Sequence, residues 1–192
     1  MKILKLVVQK IVIYHLFNRY VQNNEIIKHD IDQTVRVRGS RVANLTLKKK
    51  FGHLMLYYPE FAFIFFWRIG GLGRRISKYF TRDFHCKIFR STKIEGGLMC
   101  YHPFATVINA RSIGKNFQFR NGLTIGNKSN DNRKLPLIGN DVSVGAQVVI
   151  IGDITIGDNV MIGAGSVVVK DIPSNSVVAG NPAKIIKTLN PA

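Results

Sequence analysis

The sequence is poor in acid, in cysteine and in long uninterrupted apolar runs. Only 11 Asp and Glu stand against 28 Lys and Arg in 192 residues, a formal charge of +17. That balance excludes an acidic solvating protein and selects anionic partners: nucleic acid, an anionic membrane face or phosphorylated small molecules. The two cysteines, Cys86 and Cys100, cannot make a disulfide framework and suit a reducing compartment. The longest apolar-aromatic stretch, Leu54 to Trp67, is broken by Pro59 and Glu60. It falls short of the roughly 20 residues that a spanning helix needs. Lysines at 2, 5 and 10 interrupt the apolar start, and no small-residue cleavage site follows, which argues against a signal peptide. The expected location is the cytoplasm, with peripheral contact at the inner membrane face as its variant. What is present is ordinary for a folded chain: 46% hydrophobic and 20% charged residues.

The charge is uneven. Residues 1–94 hold 19 Lys/Arg and 5 Asp/Glu, whereas residues 95–192 hold 9 and 6. This shift places a boundary at residues 80–95 and divides the chain into a basic, aromatic region (1–85), a repeat domain (86–180) and a tail (181–192). Leu4, Val7, Val8, Ile11, Val12 and Leu16 fall at helical spacing. Residues 22–50 are polar and basic, and part of them reads as a loop or an arm. A second apolar segment runs from Leu54 to Ile76. Two roles are open to this region: a helical subdomain that buries its aromatics against the other half, or a basic amphipathic face on an anionic membrane.

The second half repeats with a period of six. Ile or Val occupies 138, 144, 150, 156, 162 and 168, and upstream Tyr101, Val107, Ile113, Phe119 and Ile125 continue the register shifted by one. Gly often follows, as at 114, 126, 139, 145, 157 and 163. Such a period fits neither a helix nor an amphipathic strand of this length. It fits a mainly β, parallel β-helix in which three hexads close one triangular coil. The leading residues point inward and stack from coil to coil. Residues 127–137 put the period out of step and read as an extruded loop, a frequent seat of function on a rigid scaffold. The tail leaves the period and would cap the open end.

These hexads, with GAGSVVVKDIP and VVAGNPAKII, resemble the hexapeptide-repeat acyltransferases with a left-handed β-helix. The stretch GGLMCYHPFATVINARSIGKNFQFRNGLTIG resembles the serine acetyltransferase branch, which includes sugar and capsular polysaccharide O-acetyltransferases. The resemblance covers roughly half the chain. It implies a homotrimer, acetyl-CoA as donor without a metal, and an active site in a groove between neighbouring prisms.

Of five histidines only His102 lies inside the repeats, at a hexad position where small residues are usual. The resemblance implies that it is the catalytic base. A hydroxyl is a weak nucleophile at neutral pH, and an imidazole can take its proton as the oxygen attacks a thioester. A nearby backbone N–H would hold the resulting oxyanion. Cys100, close by in the chain, lacks any sign of an activated thiolate.

The chain departs from the serine acetyltransferase pattern at two places. Lys87 stands where relatives carry a carboxylate that orients the imidazole, and Leu135 stands where they carry a second histidine. Both differences move the expected acceptor from serine toward a sugar or polysaccharide hydroxyl. The resemblance also implies that Ala146 and Ala164 line the pantetheine arm, that Val169 and Lys170 lie near the arm and its phosphates, and that Lys184 meets the phosphorylated nucleotide end. Lysines suit phosphates. Serine O-acetyltransfer and a non-catalytic trimeric scaffold remain the alternatives. A nucleic-acid binder has only the charge in its favour.

Overall fold

The computed structural model describes residues 2–71 and 73–189, with the side chains of residues 2, 3, 5 and 74 excepted. The end of the expected tail, residues 190–192, lies outside the described residues. The chain divides into two units, Met1–Arg82 and Asp83–Ala192.

The first unit is helical: α1 (Lys2–Leu16) runs into a π-helical turn (Phe17–Val21), followed by α2 (Glu25–Val37), α3 (Leu47–Tyr57), α4 (Pro59–Ile69) and α5 (Gly73–Ser77). α2 lies inside residues 22–50, part of which is expected to be loop or arm, and residues 38–46, between α2 and α3, are without helix. Ile27, Ile31 and Val35 recur at one-turn spacing and are buried, and the Asn24 side chain accepts a hydrogen bond from the Ile27 N–H at 3.1 Å. That cap and stripe outweigh the polar composition around them. Pro59 separates α3 from α4 and occupies the first turn of α4, where no amide donor is needed. The aromatics of this unit pack on one another: Phe51 lies 5.0 Å from Phe65 and 6.2 Å from Phe61 between ring centroids. Arg68 donates to both oxygens of buried Asp30, at 2.8 and 3.1 Å. Among the described residues no helix is long and apolar enough to cross a membrane.

The second unit is a parallel β-solenoid of three faces. Face A stacks β1 (Cys86–Ile88), β4 (Thr106–Ile108), β7 (Thr124–Gly126), β10 (Val149–Ile151) and β13 (Val167–Val168). Face B stacks β2 (Lys93–Ile94), β5 (Ser112–Ile113), β8 (Leu137–Ile138) and β11 (Thr155–Ile156). Face C stacks β3 (Met99–Tyr101), β6 (Gln118–Arg120), β9 (Ser143–Val144), β12 (Val160–Ile162), β14 (Ser176–Gly180) and β15 (Ala183–Thr188). All pairings are parallel except β14 with β15. The coils bond to one another through their backbones, as Val107 N–H does to the Leu123 carbonyl at 2.8 Å, and the inward column of apolar side chains fills the prism. Each Ile or Val fully buried there contributes roughly 1.5–3 kcal/mol.

Ile138, Val144, Ile150, Ile156, Ile162 and Val168 are all buried, as the hexads require. Val149 pairs with Val167, its equivalent one coil of three hexads further on. Ser112 pairs with Leu137. Their separation in the chain is one coil plus the excess taken up by the loop at 127–136. Upstream the register differs from expectation. Tyr101 is only half-buried and Val107 is exposed, while Cys100 and Ile108 fill the interior. The His102 corner changes the count. His102 and Ala105 both adopt positive φ, 47° and 52°, and the chain uses them to turn from β3 into β4.

The described part of the tail is the strand β15, laid antiparallel along β14 after the turn at Asn181–Pro182. It extends face C.

Candidate active site

The prism edge between faces C and A carries most of the candidate residues. In the first coil it holds His102–Ala105, in the second Asn121 and Gly122, in the third Gly145–Gln147 and in the fourth Gly163–Gly165. Corner hydrogen bonds tie these levels together. Gly122 N–H donates to the Phe104 carbonyl at 2.8 Å, Gln147 N–H to that of Asn121 at 2.9 Å, and Gly165 N–H to that of Ala146 at 2.8 Å. Glycine at 145 is dictated by this stacking: a Cβ there would lie 2.6 Å from the Ala164 nitrogen.

His102 is exposed at the first level. Its carbonyl accepts the Phe104 N–H at 2.7 Å, and Phe104 packs edge-on against Phe84 with centroids 5.0 Å apart. Pro103 is buried. The backbone that presents the imidazole is thus fixed on both sides. Coils lie about 4.8 Å apart, which puts Ala146 two levels and Ala164 three levels along the same edge, roughly 10 and 14 Å from His102.

Lys184 joins this edge through face C. It pairs with Ala179, whose Cβ lies 3.0 Å from the place a Gly163 Cβ would occupy. Val169 and Lys170 do not join it. They follow β13 at the next edge, between faces A and B, and are exposed there. The structure therefore brings together His102, Ala146, Ala164 and Lys184, and sets Val169 and Lys170 across the narrow width of β13.

Lys87 sits on β1 of face A, with its ammonium 4.4 Å from the Phe89 ring centroid. An ammonium has no acceptor to offer an imidazole N–H. Any group that orients His102 must lie elsewhere.

The A–B edge also carries the loop at 127–136. Asp131 accepts from the Arg133 side chain at 3.0 and 3.1 Å and from its backbone N–H at 3.0 Å. That guanidinium holds the Asp131 carboxyl below its ordinary range. Arg111 bridges the Arg133 carbonyl at 3.1 Å and Asp153 at 2.8 Å. Leu135, within the loop, is buried.

Neither cysteine fits a nucleophile. Cys100 lies inside the prism, and burial pushes the Cys86 thiol up to about 12. Among the described residues no three His, Cys, Asp or Glu side chains gather as a metal centre would need.

One feature of the edge escaped sequence reasoning. Tyr101 and Arg120 are partners across β3 and β6, and the Arg120 guanidinium stacks 4.8 Å from the Tyr101 ring centroid. This pair adjoins His102. A spacing of one coil would have revealed it, but the register that turned Tyr101 inward hid it.

Residues 136–170 match the family model described as bacterial transferase hexapeptide (six repeats). The putative colanic acid biosynthesis acetyltransferase WcaB of Escherichia coli K12 is 49% identical over 86 residues, 44% of this chain and 53% of that protein. Serine acetyltransferase 2 of Arabidopsis thaliana is 34% identical over 120 residues, 62% of this chain and 36% of that protein. The chain thus spans about half, or less, of the curated relatives it matches. Among solved structures, the serine acetyltransferase of Brucella abortus strain S19 has a TM-score of 0.68 at 26% identity, over 92% of this chain and 73% of that one. The Neisseria gonorrhoeae serine acetyltransferase scores 0.68 at 26% identity, over 93% and 72%. Over residues 136–170 the repeat is similar to that of the hexapeptide-repeat transferases. The relatives given above are named as a putative colanic acid biosynthesis acetyltransferase and as serine acetyltransferases.

Proposed function

We propose that this protein is an acetyl-CoA-dependent O-acetyltransferase whose acceptor is a hydroxyl of a sugar or polysaccharide precursor. The observation that carries the proposal is the C–A edge: an exposed imidazole on a fixed corner, followed along the same edge by the small residues Ala146 and Ala164 and then by Lys184. The named activities of the relatives support the reaction type, and the 49% identity to the colanic acid enzyme supports the sugar.

In this reading His102 takes the proton of the acceptor hydroxyl as its oxygen attacks the thioester carbonyl. The tetrahedral intermediate collapses, the C–S bond breaks, and the imidazolium returns the proton to the departing thiolate. Proton transfer of this kind contributes roughly 10²–10⁴-fold. No covalent acyl-enzyme is formed. The pantetheine arm lies along Ala146 and Ala164, the phosphates meet Lys184, and Val169 and Lys170 brace the coenzyme across the β13 face. Three copies form the assembly, with the grooves between prisms. Arg120, held flat by Tyr101, meets an anionic group of the acceptor.

A second reading keeps the same edge and replaces the acceptor by L-serine. Its support is the likeness to the serine acetyltransferases over 92% of the chain. Release of CoA from acetyl-CoA separates the two, measured with L-serine, neutral oligosaccharides, uronate-bearing oligosaccharides and nucleotide sugars. Faster turnover of a sugar supports the proposal. Turnover of serine alone replaces it with the second reading, and no turnover with any acceptor favours a non-catalytic scaffold.

A further inference from the structure

Helix α1 carries two apolar faces, and only one is used. Ile13 and Leu16 enter the core of the helical unit, and on the same side the Gln9 side chain donates to the Tyr79 carbonyl at 2.8 Å. The opposite side presents Leu4, Val7, Val8, Ile11 and Tyr14 at helical intervals. All of them are exposed, Leu4 at 70% and Ile11 at 54%. They form one stripe about 15 Å long. Scattered surface apolar residues are normal, but a continuous stripe of large ones marks a docking surface.

The charge around the stripe selects its occupant. Residues 1–24 contain four Lys or Arg and no acid, and residues 33–59 contain six and no acid. Residues 1–82 as a whole hold 16 Lys or Arg against 4 Asp or Glu. One of these cations flanks the stripe directly, and a second follows it in the chain. Lys48, at the start of α3, places its ammonium 4.0 Å from the Tyr14 ring centroid, and Lys49 beside it is exposed. An apolar face edged by ammonium groups in excess of carboxylates, the nearby Asp32 being taken up by Lys50 at 2.8 Å, complements a surface of hydrocarbon bordered by phosphate. Insertion of the side chains and attraction of the lysines act together there. A second copy of this strongly cationic unit would bring like charges together instead.

We propose that the outer face of α1 docks this protein on an anionic lipid bilayer, lying in the plane of the interface with Lys10, Lys48 and Lys49 at the headgroup level. The inference is independent of acetyl transfer, because its readout is lipid binding alone.

The test is flotation of the full chain with vesicles of phosphatidylglycerol and phosphatidylcholine, and with vesicles of phosphatidylcholine alone. Wild type is expected to float with the first and to remain free with the second, and added salt weakens the binding. The double variant Val7→Gln/Ile11→Gln, on the face that leaves the core untouched, is expected to bind roughly 100-fold more weakly, about tenfold for each apolar side chain withdrawn from the bilayer. The double variant Lys48→Gln/Lys49→Gln keeps the stripe and is expected to lose roughly 30-fold on the anionic vesicles. Circular dichroism confirms that both remain helical, and the lysine pair supplies the decision should the first variant fail to fold. The proposal is overturned if wild type ignores the anionic vesicles, if it binds the neutral ones equally, or if folded variants bind as wild type does. A wild type that ignores lipid while Val7→Gln/Ile11→Gln lowers its mass in sedimentation velocity would make the stripe a contact between copies.

Discussion

His102→Asn is the sharpest test of the proposed chemistry, and the structure dictates the choice of replacement. The residue sits at φ 47°, a region that Asn enters more readily than other non-glycine residues. Asn therefore preserves the corner that joins β3 to β4, whereas Ala would combine loss of the imidazole with a change in backbone preference. The Phe104 N–H still finds the carbonyl of residue 102, and Pro103 and Phe104 keep their contacts. The side chain is exposed, so stability should move by no more than about 0.5 kcal/mol, under roughly 4 °C in thermal midpoint. Activity should fall far more. An amide cannot take the acceptor proton, and the missing general base removes roughly 10²–10⁴-fold from kcat/KM, about 2.7–5.4 kcal/mol of barrier. The assay is release of CoA thiol from acetyl-CoA with the best acceptor found, beside a melting curve of the same sample. The binding constant for CoA should be unchanged, since Ala146 and Ala164 stand two and three coils away. A variant that folds as wild type does and turns over nearly as fast would refute the assignment of His102 as base.

Three further outcomes are expected. Gly145→Ala puts a Cβ 2.6 Å from the Ala164 nitrogen and 2.8 Å from its Cα, so the third and fourth coils must part at the edge; unfolding in urea should show a loss of about 1–3 kcal/mol, and a fully stable variant would mean that the coils yield freely. Arg68→Ala removes a charge partner of the buried Asp30 carboxylate and should destabilise the helical unit by about 3–5 kcal/mol, followed by helical circular dichroism. The Cys86 thiol, whose ordinary value is 9.0, is raised to about 12 in the fold. Its contribution to stability is therefore complete below the ordinary value and is lost as pH climbs toward the raised one, because the unfolded chain gives up that proton first. Native protein should accordingly resist iodoacetamide in neutral and mildly alkaline buffer, and rapid alkylation of Cys86 there would contradict its burial.

Regular spacing was what the sequence displayed well. From Ile138 to Val168 each hexad begins with an inward Ile or Val, and one set of hexads determines one set of coils. The register failed at Tyr101 and Val107 because the corner between them is longer than the hexad pattern allows, and a period cannot reveal a turn made by positive φ at His102 and Ala105. The helix α2 was masked by composition. Its buried Ile27, Ile31 and Val35 are separated by charges, and Asp30, buried on the same side, reads as a surface residue until Arg68 is seen to pair with it from α4. For the site, the type and position of His102 were visible, and so were the small residues at 146 and 164. That these share an edge, while Val169 and Lys170 lie at another, depends on counting corners, which a match of motifs leaves out. The Tyr101–Arg120 stack needed the corrected register.

The arrangement of charge along that edge bears on the acceptor. No carboxylate stands among residues 102–105, 120–122, 145–147 and 163–165, whereas Arg120 lies one coil from His102 and Lys184 lies beside Ala179, one strand beyond the Gly163 corner. An amino acid acceptor carries both a carboxylate, which Arg120 can also receive, and an ammonium group, which finds no opposite charge among these corner residues. A neutral sugar would feel neither penalty nor gain. A sugar bearing a carboxylate or phosphate gains a planar, charge-assisted contact held in place by the Tyr101 ring. The ordering of sugars follows from these charges: an acidic one ahead of a neutral one. Replacing Arg120 with Gln should erase the difference between the two and leave the coenzyme constant alone. If Arg120→Gln instead weakens acetyl-CoA and spares the acceptor, the guanidinium belongs to the donor side of the edge, and the preference for an acidic sugar loses its physical basis.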